Sequence, residues 1–435
     1  MIAKLIIDKK REGRALGSAE IREFINAFTA GEIPDCQMSA LAMAICCRGM
    51  TDRETADLTE VMKNSGRTLE WDDLVTADKH STGGVGDKVS LIVQPLAAAC
   101  GVAVPSLTGR GLGLTGGTAD KLESIPGYNA SLSLEDFGRV VREAGVSMTV
   151  QTDEITPADK KLYALRDVTG TVASIPLIVA SILSKKLAEG AGTLVFDVKC
   201  GSGTFMKTRE EAKNLADQLV AGAKTAGRKA AALVTDMSAP LGYAVGNANE
   251  VAEAISILEC REGYEDCGGM VELCVELAAL MVSFAKGIEI EAAREECRKR
   301  LADGSALEKF KAMVAAHGGD LERFATLLER PKFKFRIQAM RSGVVSEIDA
   351  EKVARVAFEL GAGRAAPGED IDPLAGVTLA VKIGDRVAVG DALATLEKSS
   401  DPDGLERCAA ELLKAFAISS AAPERAGLIL ERVYV

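Results

Sequence analysis

The chain has 435 residues, which is too many for one typical hydrophobic core, so two or three domains are expected. Its formal net charge of −11 argues against nucleic acid and anionic membranes as binding partners. The ten cysteines form neither a CxxC pair nor a Cys/His cluster, which indicates free thiols rather than a metal site. The sequence has no apolar run of about 18 residues and no secretory signal, so a cytoplasmic protein is expected.

Residues 1–66 have the apolar spacing of helices. Ser18 begins one helix, residues 39–48 form a second that is apolar on most sides, and residues 52–64 form a third. From residue 67 onward, β-branched runs alternate with helical ones. The predicted strands are 102–107, 146–150, 194–198 and 230–235, and the predicted helices between them are 87–100, 134–144, 209–226 and 249–258. This alternation predicts a largely parallel sheet.

One long helix, residues 174–189, interrupts this series, and its apolar face predicts packing against the N-terminal helices. After about residue 331, short β-like runs and Gly-Asp turns favour an antiparallel unit. The expected fold class is α/β, with a small all-α domain, a large α/β domain containing a mostly parallel central sheet, and a C-terminal α+β unit. The expected boundaries are 1–66 with 162–192 for the α domain, 67–161 with 193–330 for the α/β domain, and 331–435 for the C-terminal unit.

The densest chemical signal is the segment KHSTGGVGDKVS at residues 79–90. A cation, an imidazole and two hydroxyls precede a glycine loop that opens a helix. Glycines allow backbone N–H groups to approach an anion closely, and a helix N-terminus adds positive partial charge. The residue order is not that of a Walker A loop, and a glycine loop before a helix is often only a tight turn. Both interpretations stay open on this feature alone.

A second glycine-rich segment, GRGLGLTGGTADKLE, occupies residues 109–123. Such a density of glycine costs chain entropy if it only fills a loop. The hydroxyls of Thr108, Thr115 and Thr118 beside a flexible backbone suit the recognition of phosphate oxygens. A flexible surface loop is the alternative.

A third constellation combines Arg166 with Ser181 and Lys185. Ser181 and Lys185 are four residues apart on a predicted helix, so they share one face. Most Ser/Lys pairs at this spacing are solvated, but this helix is otherwise apolar. A buried lysine needs an acceptor, and a ligand carbonyl can be one.

Over essentially its whole length, the chain resembles the thymidine phosphorylase and pyrimidine-nucleoside phosphorylase family. The segments that carry the resemblance are KHSTGGVGD, GRGLGLTGGTADKLE, ADKKLYALRDVTGTVASIPLIVASILSKKLAEG, DVKCGSGTFMK and PLGYAVGN. The resemblance implies phosphorolysis of uridine, thymidine or deoxyuridine to the free base and a sugar 1-phosphate. Inorganic phosphate is then the co-substrate, and no cofactor is required. It also implies a homodimer formed through the α domains, with the active site in the cleft between the α domain and the α/β domain.

Site residues follow from the same resemblance. The phosphate site is expected at Lys79, Ser81, Gly83, Ser90, Thr108 and Thr118. The pyrimidine site is expected at His80, Arg166, Ser181 and Lys185, of which His80, Arg166 and Lys185 are the catalytic candidates. His80 is the candidate acid near the base oxygen, because the usual pKa range of an imidazole suits proton transfer. His317, in VAAHGG, is expected to be structural at a helix end.

The sequence departs from the family pattern at three positions. Thr108 replaces a serine and keeps the hydroxyl, whereas Leu114 replaces a histidine and removes a polar group. Lys88 replaces a threonine beside a K⁺-type monovalent-cation site. The residues that match this site are Gly86, Leu241, Ala244 and Glu253. Lys88 is therefore expected either to take the place of the cation, with its ammonium group bonded to Glu253, or to point into solvent.

Three rival functions remain at this stage. A thymidine-only phosphorylase differs in substrate range, and Ser106, near the expected ribose contact, leaves sugar preference open. A phosphoribosyltransferase of the anthranilate type would need Mg²⁺ with pyrophosphate, for which Asp87 and Asp120 are available. A non-catalytic carrier-like binding module is suggested by residues 381–398, although no attachment turn is present.

Overall fold

The computed structural model describes residues 2–111, 114, 116–330, 332–364, 369–421 and 427–434. An all-α domain is built from two separate parts of this chain. Its helices are α1 (Ala3–Arg11), α2 (Ser18–Thr29), α3 (Asp35–Arg48), α4 (Asp52–Lys63), α8 (Pro157–Thr169) and α9 (Ile175–Ala188). Ala158 and Leu162 of α8, together with Leu177 and Ala180 of α9, lie in the same apolar core as α1 to α4. The chain thus returns to pack against the N-terminal helices, as predicted.

Helix α9 is buried on nearly all sides. Leu177 and Ala180 face the α domain, whereas Ile182, Leu183 and Leu187 pack in a second core together with the central sheet. This double packing explains why the α9 sequence is apolar without one clear stripe. Its apolar side chains are therefore covered within the chain, and Lys185 is one of the few residues of α9 that are not fully buried.

The α/β domain contains a twisted, mostly parallel sheet. Its strands are β1 (Ala77–Ser81), β2 (Val104–Thr108), β3 (Val146–Val150), β4 (Thr193–Cys200) and β5 (Lys229–Asp236). Strands β1, β4 and β5 pair in parallel, as do β2 and β3, and a parallel bridge between Thr76 and Ala103 joins the two groups. The surrounding helices are α5 (Val89–Ala99), α6 (Thr118–Glu123), α7 (Leu134–Ala144), α10 (Arg209–Thr225), α11 (Ala248–Leu258), α12 (Met270–Lys286), α13 (Ile290–Ala302), α14 (Ser305–Ala316) and α15 (Leu321–Leu328).

The C-terminal unit is mainly antiparallel. Its elements are β7 (Phe333–Gln338), β8 (Gly343–Ile348), α16 (Ala350–Ala357), a π-helical turn (Phe358–Ala362), β9 (Gly376–Leu379), β10 (Arg386–Val387), β11 (Ala392–Lys398), α17 (Leu405–Leu413) and β12 (Phe416–Ser419). Two strands are exchanged with the α/β domain. Strand β6 (Ala244–Gly246) pairs with β9, and strand β13 (Ile429–Val433) pairs antiparallel with β5 at the edge of the central sheet. The expected fold class is confirmed, with the two larger units joined by this exchange.

Three linkers connect the α domain to the sheet: residues 64–76, 151–156 and 189–192. The first and the third of them touch each other. The N–H of Leu69 donates to Ala188 O at 2.8 Å, and Nε1 of Trp71 donates to Glu189 O at 2.7 Å. The guanidinium of Arg142 lies 5.1 Å from the centre of the Trp71 ring. Gly190, at φ +86°, passes so close to Leu69 that a Cβ atom would collide with the Leu69 carbonyl. Glycine is therefore required where the linkers cross.

Candidate active site

A cavity of about 620 Å³ opens between the α domain and the carboxyl ends of strands β1, β2 and β3. Carboxyl ends of parallel strands and N-termini of the following helices meet at the same edge of a sheet, where α/β proteins commonly bind ligands. The ten residues expected at the phosphate and pyrimidine sites all line this cavity: Lys79, His80, Ser81, Gly83, Ser90, Thr108, Thr118, Arg166, Ser181 and Lys185. Residues from three separate segments of the chain are thus brought together.

Hydroxyls and one ammonium group line the sheet side of the cavity. Ser81 ends strand β1, Thr108 ends strand β2, Ser90 lies in the first turn of α5, and Thr118 is the first residue of α6. The Lys79 Nζ donates to Ser90 Oγ at 3.2 Å. This side of the cavity therefore collects hydroxyl donors, a cation and the positive ends of two helix dipoles, which together suit an anion.

Buried charges lie directly behind these hydroxyls. Lys79 and Lys199 both pair with Asp197, at 3.3 and 2.7 Å, and all three side chains are fully buried. The Ser81 hydroxyl donates to Asp87 Oδ2 at 2.5 Å. Burial acts to raise the pKa of the Asp87 carboxyl, but the charges of Lys199, Lys79 and Lys121 hold it below its usual range. Asp87 is therefore an anion that fixes the Ser81 side chain.

The opposite side of the cavity carries two cations from helices α8 and α9. Arg166 is buried, and its Nε, Nη1 and Nη2 donate to the main-chain oxygens of Thr171, Leu177 and Val172 at 3.2, 3.0 and 2.8 Å. Lys185 Nζ donates to Ser181 Oγ at 2.8 Å, across one turn of α9 as the spacing predicts. Guanidinium and ammonium protons remain free to reach a ligand carbonyl.

His80 lies between the two sides, at the end of β1, and is half-buried. Burial, together with the charges of Lys186, Lys185 and Lys79, lowers the pKa of its imidazole well below the ordinary value. The usual pKa range on which the sequence argument relied therefore does not hold in the folded protein. At neutral pH, His80 is an uncharged ring that can donate one hydrogen bond.

Lys88 is fully buried and points away from solvent, so the solvent-exposed alternative is wrong. Its Nζ donates to Leu241 O at 2.9 Å, to Ala244 O at 3.0 Å and to Glu253 Oε2 at 2.7 Å. Gly86 closes the same space, because a Cβ atom there would lie 2.5 Å from Leu241 O. Burial acts to lower the pKa of the Lys88 ammonium, but the charges of Glu253 and Glu250 raise this pKa above its ordinary value. All four expected cation-site residues thus surround this ammonium group.

Sequence reasoning missed two residues beside Arg166. Asp159 and Tyr163 lie seven and three positions before it on one face of α8, and both contact Lys185. Helical spacing from Arg166 was the signal that could have found them.

Gln94, on α5, was also missed. Its amide nitrogen donates to Ser106 Oγ at 2.8 Å and to Asp78 Oδ1 at 3.1 Å under the cavity.

The two carboxylates offered for Mg²⁺ are occupied by protein donors. Asp87 holds Ser81, and Asp120 accepts from Arg364 at 2.7 Å and from Arg110 at 3.3 Å. Among the residues that the structure describes, no group of three or more His, Cys, Asp or Glu is placed to hold a metal ion. Thr115 lies outside the described residues, and Leu114, within them, packs against the main core.

His317 is structural, as expected. It caps the end of α14, and its ring stacks on Tyr128 with centroids 4.5 Å apart. Its two ring nitrogens bond to Ser147 Oγ and Asn129 O, at 2.9 and 2.8 Å.

In the part of the chain that is described, no helix is both long enough and apolar enough to cross a membrane.

Family models match three consecutive parts of the chain. The helical bundle domain of a glycosyl transferase family matches residues 4–66, and the α/β domain of the same family matches residues 73–307. The pyrimidine nucleoside phosphorylase C-terminal domain matches residues 344–419. A pyrimidine-nucleoside phosphorylase from Geobacillus stearothermophilus is 48% identical over 396 residues, which cover 90% of each chain. This chain belongs to the pyrimidine-nucleoside phosphorylase family.

Other comparisons agree with this assignment. The pyrimidine-nucleoside phosphorylase of Bacillus subtilis strain 168 is also 48% identical over 90% of each chain. That of Staphylococcus haemolyticus is 47% identical over 91% of this chain and 92% of its own. The crystal structure of anthranilate phosphoribosyltransferase from Thermus thermophilus aligns with a TM-score of 0.58 at 21% identity, covering 73% of this chain and 99% of that chain. The phosphoribosyltransferase likeness is therefore one of fold, and membership of the enzyme family argues against the carrier-like alternative.

The pKa of His80 leads to a prediction about titration. The chain has two histidines, so NMR can follow the His80 ring with His317→Asn as the assignment control. We expect the His80 ring to be mostly neutral at about pH 6.5, where an ordinary histidine is half protonated. Because the unfolded chain binds a proton near that value and the folded ring does not, this residue's contribution to stability is complete above it and is lost as pH falls. A folded-state midpoint at or above about 6.5 would contradict the neutral assignment.

Proposed function

We propose that this enzyme catalyses the reversible phosphorolysis of pyrimidine nucleosides. Uridine, thymidine and 2′-deoxyuridine would each yield the free base and an α-D-ribose or deoxyribose 1-phosphate. The observation that carries this proposal is one cavity with an anion-binding side at the sheet and a donor-rich side at α8 and α9. A nucleoside between them would present C1′ to phosphate and its base to the cations.

The phosphate side would orient the nucleophile. Lys79, Ser81, Gly83, Ser90, Thr108 and Thr118 are the residues proposed to hold it. Lys79 is held from behind by Asp197, whereas the Ser81 hydroxyl proton is directed to Asp87 and would turn to a phosphate oxygen on binding. Holding phosphate in line with C1′ removes much of the entropic cost of a reaction between two molecules. Attack from the face opposite the base inverts C1′ and gives the α-sugar phosphate.

The base side would stabilise the leaving group. As the glycosidic bond lengthens, positive charge grows on the sugar and negative charge grows on the pyrimidine. Arg166, Lys185 and Ser181 would donate to the base, and each charged donor is worth about 3 kcal/mol in the transition state by analogy with oxyanion-hole donors. His80, uncharged at neutral pH, would donate a hydrogen bond to a base oxygen rather than act as an imidazolium acid.

A cytoplasmic location is part of the proposal. All ten cysteines are free thiols, which suits a reducing compartment. Small-molecule substrates and a second copy of the chain are the proposed partners, and the formal charge of −11 disfavours nucleic acid.

The first prediction of the proposed function concerns phosphate. Purified enzyme should release uracil from uridine and thymine from thymidine in phosphate buffer, and chelation of divalent metals should not reduce the rate. Base release at the same rate without phosphate would identify a hydrolase instead. Activity that requires Mg²⁺ and pyrophosphate would favour the phosphoribosyltransferase. Rates for uridine, thymidine and 2′-deoxyuridine measured side by side would define the sugar and base preference.

The second prediction concerns Lys88, which we propose takes the place that the family resemblance assigns to a monovalent cation such as K⁺. Its ammonium group already bonds to two carbonyls and to Glu253. Wild-type activity should therefore not depend on added K⁺. Lys88→Thr leaves Glu253 buried without a counter-charge, which costs about 3–5 kcal/mol. Potassium chloride should restore activity and raise Tm in this variant, because a bound ion stabilises the folded state.

Two controls make the Lys88 experiment specific. Choline chloride at the same ionic strength should not replace potassium chloride. Lys10→Thr breaks another buried pair, in which Lys10 Nζ lies 2.7 Å from Glu54, and should not gain a K⁺ response. A Lys88→Thr enzyme that is indifferent to K⁺, or a wild-type enzyme that requires it, would refute the proposal.

The third prediction concerns a homodimer formed through the α domain. Leu5 on α1 and Met43 on α3 are exposed apolar side chains, at 61% and 43%, and Ile2 beside them is 65% exposed. The whole α domain was expected to be available for the contact, but the apolar side chains of its helix α9 are buried within the chain. The proposed contact is therefore narrower and uses α1 and α3.

Sedimentation velocity at micromolar concentration tests the dimer. Wild-type protein should sediment as a dimer, and Leu5→Asp should shift it toward the monomer, because a charge would be buried in the contact. Val389→Asp places the same charge on a 66% exposed residue of the C-terminal unit and should leave the dimer intact. A monomeric wild-type protein would refute the contact.

A further inference from the structure

A buried carboxylate lies behind the base side of the cavity. Asp159, in the first turn of α8, is 1% exposed, and its Oδ2 accepts from Lys185 Nζ at 2.7 Å. Its other oxygen, Oδ1, is buried and has no hydrogen-bond partner among the described residues. A purely structural aspartate normally has its oxygens satisfied by main-chain or side-chain donors. The feature that distinguishes Asp159 is thus its charge and its single strong contact with Lys185.

The same carboxylate is shared by both cations of the base side. The hydrogen bonds of Arg166 go to the uncharged oxygens of Thr171, Leu177 and Val172. Asp159 is the acidic group whose charge acts on Arg166 as well as on Lys185. Buried Arg166 and partly buried Lys185, together with the one buried anion, leave one net positive charge. That charge faces the position where a departing pyrimidine would become a monoanion.

The protons of Lys185 can be assigned one by one. Its ammonium group has three: one is directed to Asp159 and one to Ser181 Oγ, at 2.7 and 2.8 Å. The ring of Tyr163 lies 5.2 Å from Nζ and covers a further side of the ammonium group. The third proton therefore remains for a ligand in the cavity. Asp159 and Ser181 together fix the direction in which that proton points.

We propose that Asp159 is a positioning residue, which keeps Lys185 protonated and aimed at the pyrimidine and limits the base side to one net positive charge. This inference rests on the proposed function. The residue need not touch the substrate, since it acts through Lys185.

The charged and titratable groups around Lys185 determine the direction in which its pKa should change when the Asp159 charge is removed. Asp159, Tyr163 and Arg166 face it from α8, Lys186 lies beside it on α9, and His80 lies across the cavity on β1. Burial lowers the pKa of the Lys185 ammonium, and Lys186 and Arg166 act in the same direction, whereas Asp159 opposes them. Burial, followed by the charge of Asp159, raises the pKa of Tyr163, so this ring is uncharged. Without the Asp159 charge, Lys185 would lose its proton at a lower pH.

The experiment compares kcat/KM for uridine phosphorolysis between about pH 6 and pH 10 in wild-type enzyme and in Asp159→Asn. Activity needs protonated Lys185, so it falls as pH rises through the pKa of that group. In Asp159→Asn this alkaline limb should move down by at least about one pH unit, which means at least about a tenfold loss at alkaline pH and partial recovery near pH 6. A merely structural defect would lower activity at every pH alike.

Further variants complete the test. Asp167→Asn removes an exposed carboxylate from the same helix and should keep the wild-type profile. Asp159→Glu retains the charge and should keep more of the alkaline limb than Asp159→Asn. If Asp159→Asn turns over too slowly, the affinity for uracil can be measured by calorimetry across the same pH range, and it should fall at the same alkaline pH. The Tm of each variant shows whether it is folded.

Three outcomes separate the inference from the proposed function. A shifted limb in Asp159→Asn alone supports the role of Asp159. An unshifted limb, or a uniform loss at all pH values, overturns it while leaving phosphorolysis intact. A wild-type enzyme that phosphorolyses no pyrimidine nucleoside overturns the proposed function first, and the inference with it.

Discussion

A buried ammonium group must have a carboxylate, and this constraint organises the structure around the cleft. Five lysines are among the largest fully buried side chains: Lys79, Lys88, Lys121, Lys186 and Lys199. Their acidic partners are Asp197, Glu253, Glu250, Asp78 with Glu189, and again Asp197. An unpaired charge at such depth would cost several kcal/mol. Four of these lysines reach a carboxylate on another element and so hold two elements together, whereas Lys199 pairs with Asp197 of its own strand β4. The cavity lies among the elements held in this way.

Helix α9 shows how this pairing links the α domain to the α/β domain. Its neighbouring residues Lys185 and Lys186 point to different partners. Lys185 reaches Asp159 on α8, within the α domain. Lys186 reaches Asp78 on β1 at 2.5 Å and the carbonyl of Leu107 on β2 at 2.8 Å, within the sheet. One helix thus connects the base side of the site to the strands that carry the phosphate side.

Local pattern was enough to predict much of the fold. The amphipathic run of α7 and the β-branched run of β3 were predicted at the bounds observed, Leu134–Ala144 and Val146–Val150. The exchange of β6 and β13 was not predictable, since it pairs residues far apart in sequence. Helix α8 begins at Pro157, whereas the second part of the α domain was expected from residue 162.

In the site, as in the fold, local sequence patterns predicted which residues are present, but contacts between distant segments could not be predicted. Motifs and resemblance located ten of the residues that line the cavity, and they predicted that Lys88 would reach Glu253. The lowered pKa of His80 depends on burial and on three lysines from β1 and α9, all of which arise only in the fold. Asp159 looked like one more helical carboxylate until its burial against Lys185 was known. The protonation state of His80 and the contact of Asp159 with Lys185 could therefore be learned only from the packed structure.

Trp71 is the single tryptophan of the chain, and it lies at the crossing of the two linkers. Its indole is bonded to one linker carbonyl and covered by the Arg142 guanidinium, so its surroundings are set by the junction between the domains. The emission of an indole changes with the polarity and charge next to it. The protein therefore contains an intrinsic optical reporter at this junction, and its fluorescence could follow rearrangements of the linkers without any added label.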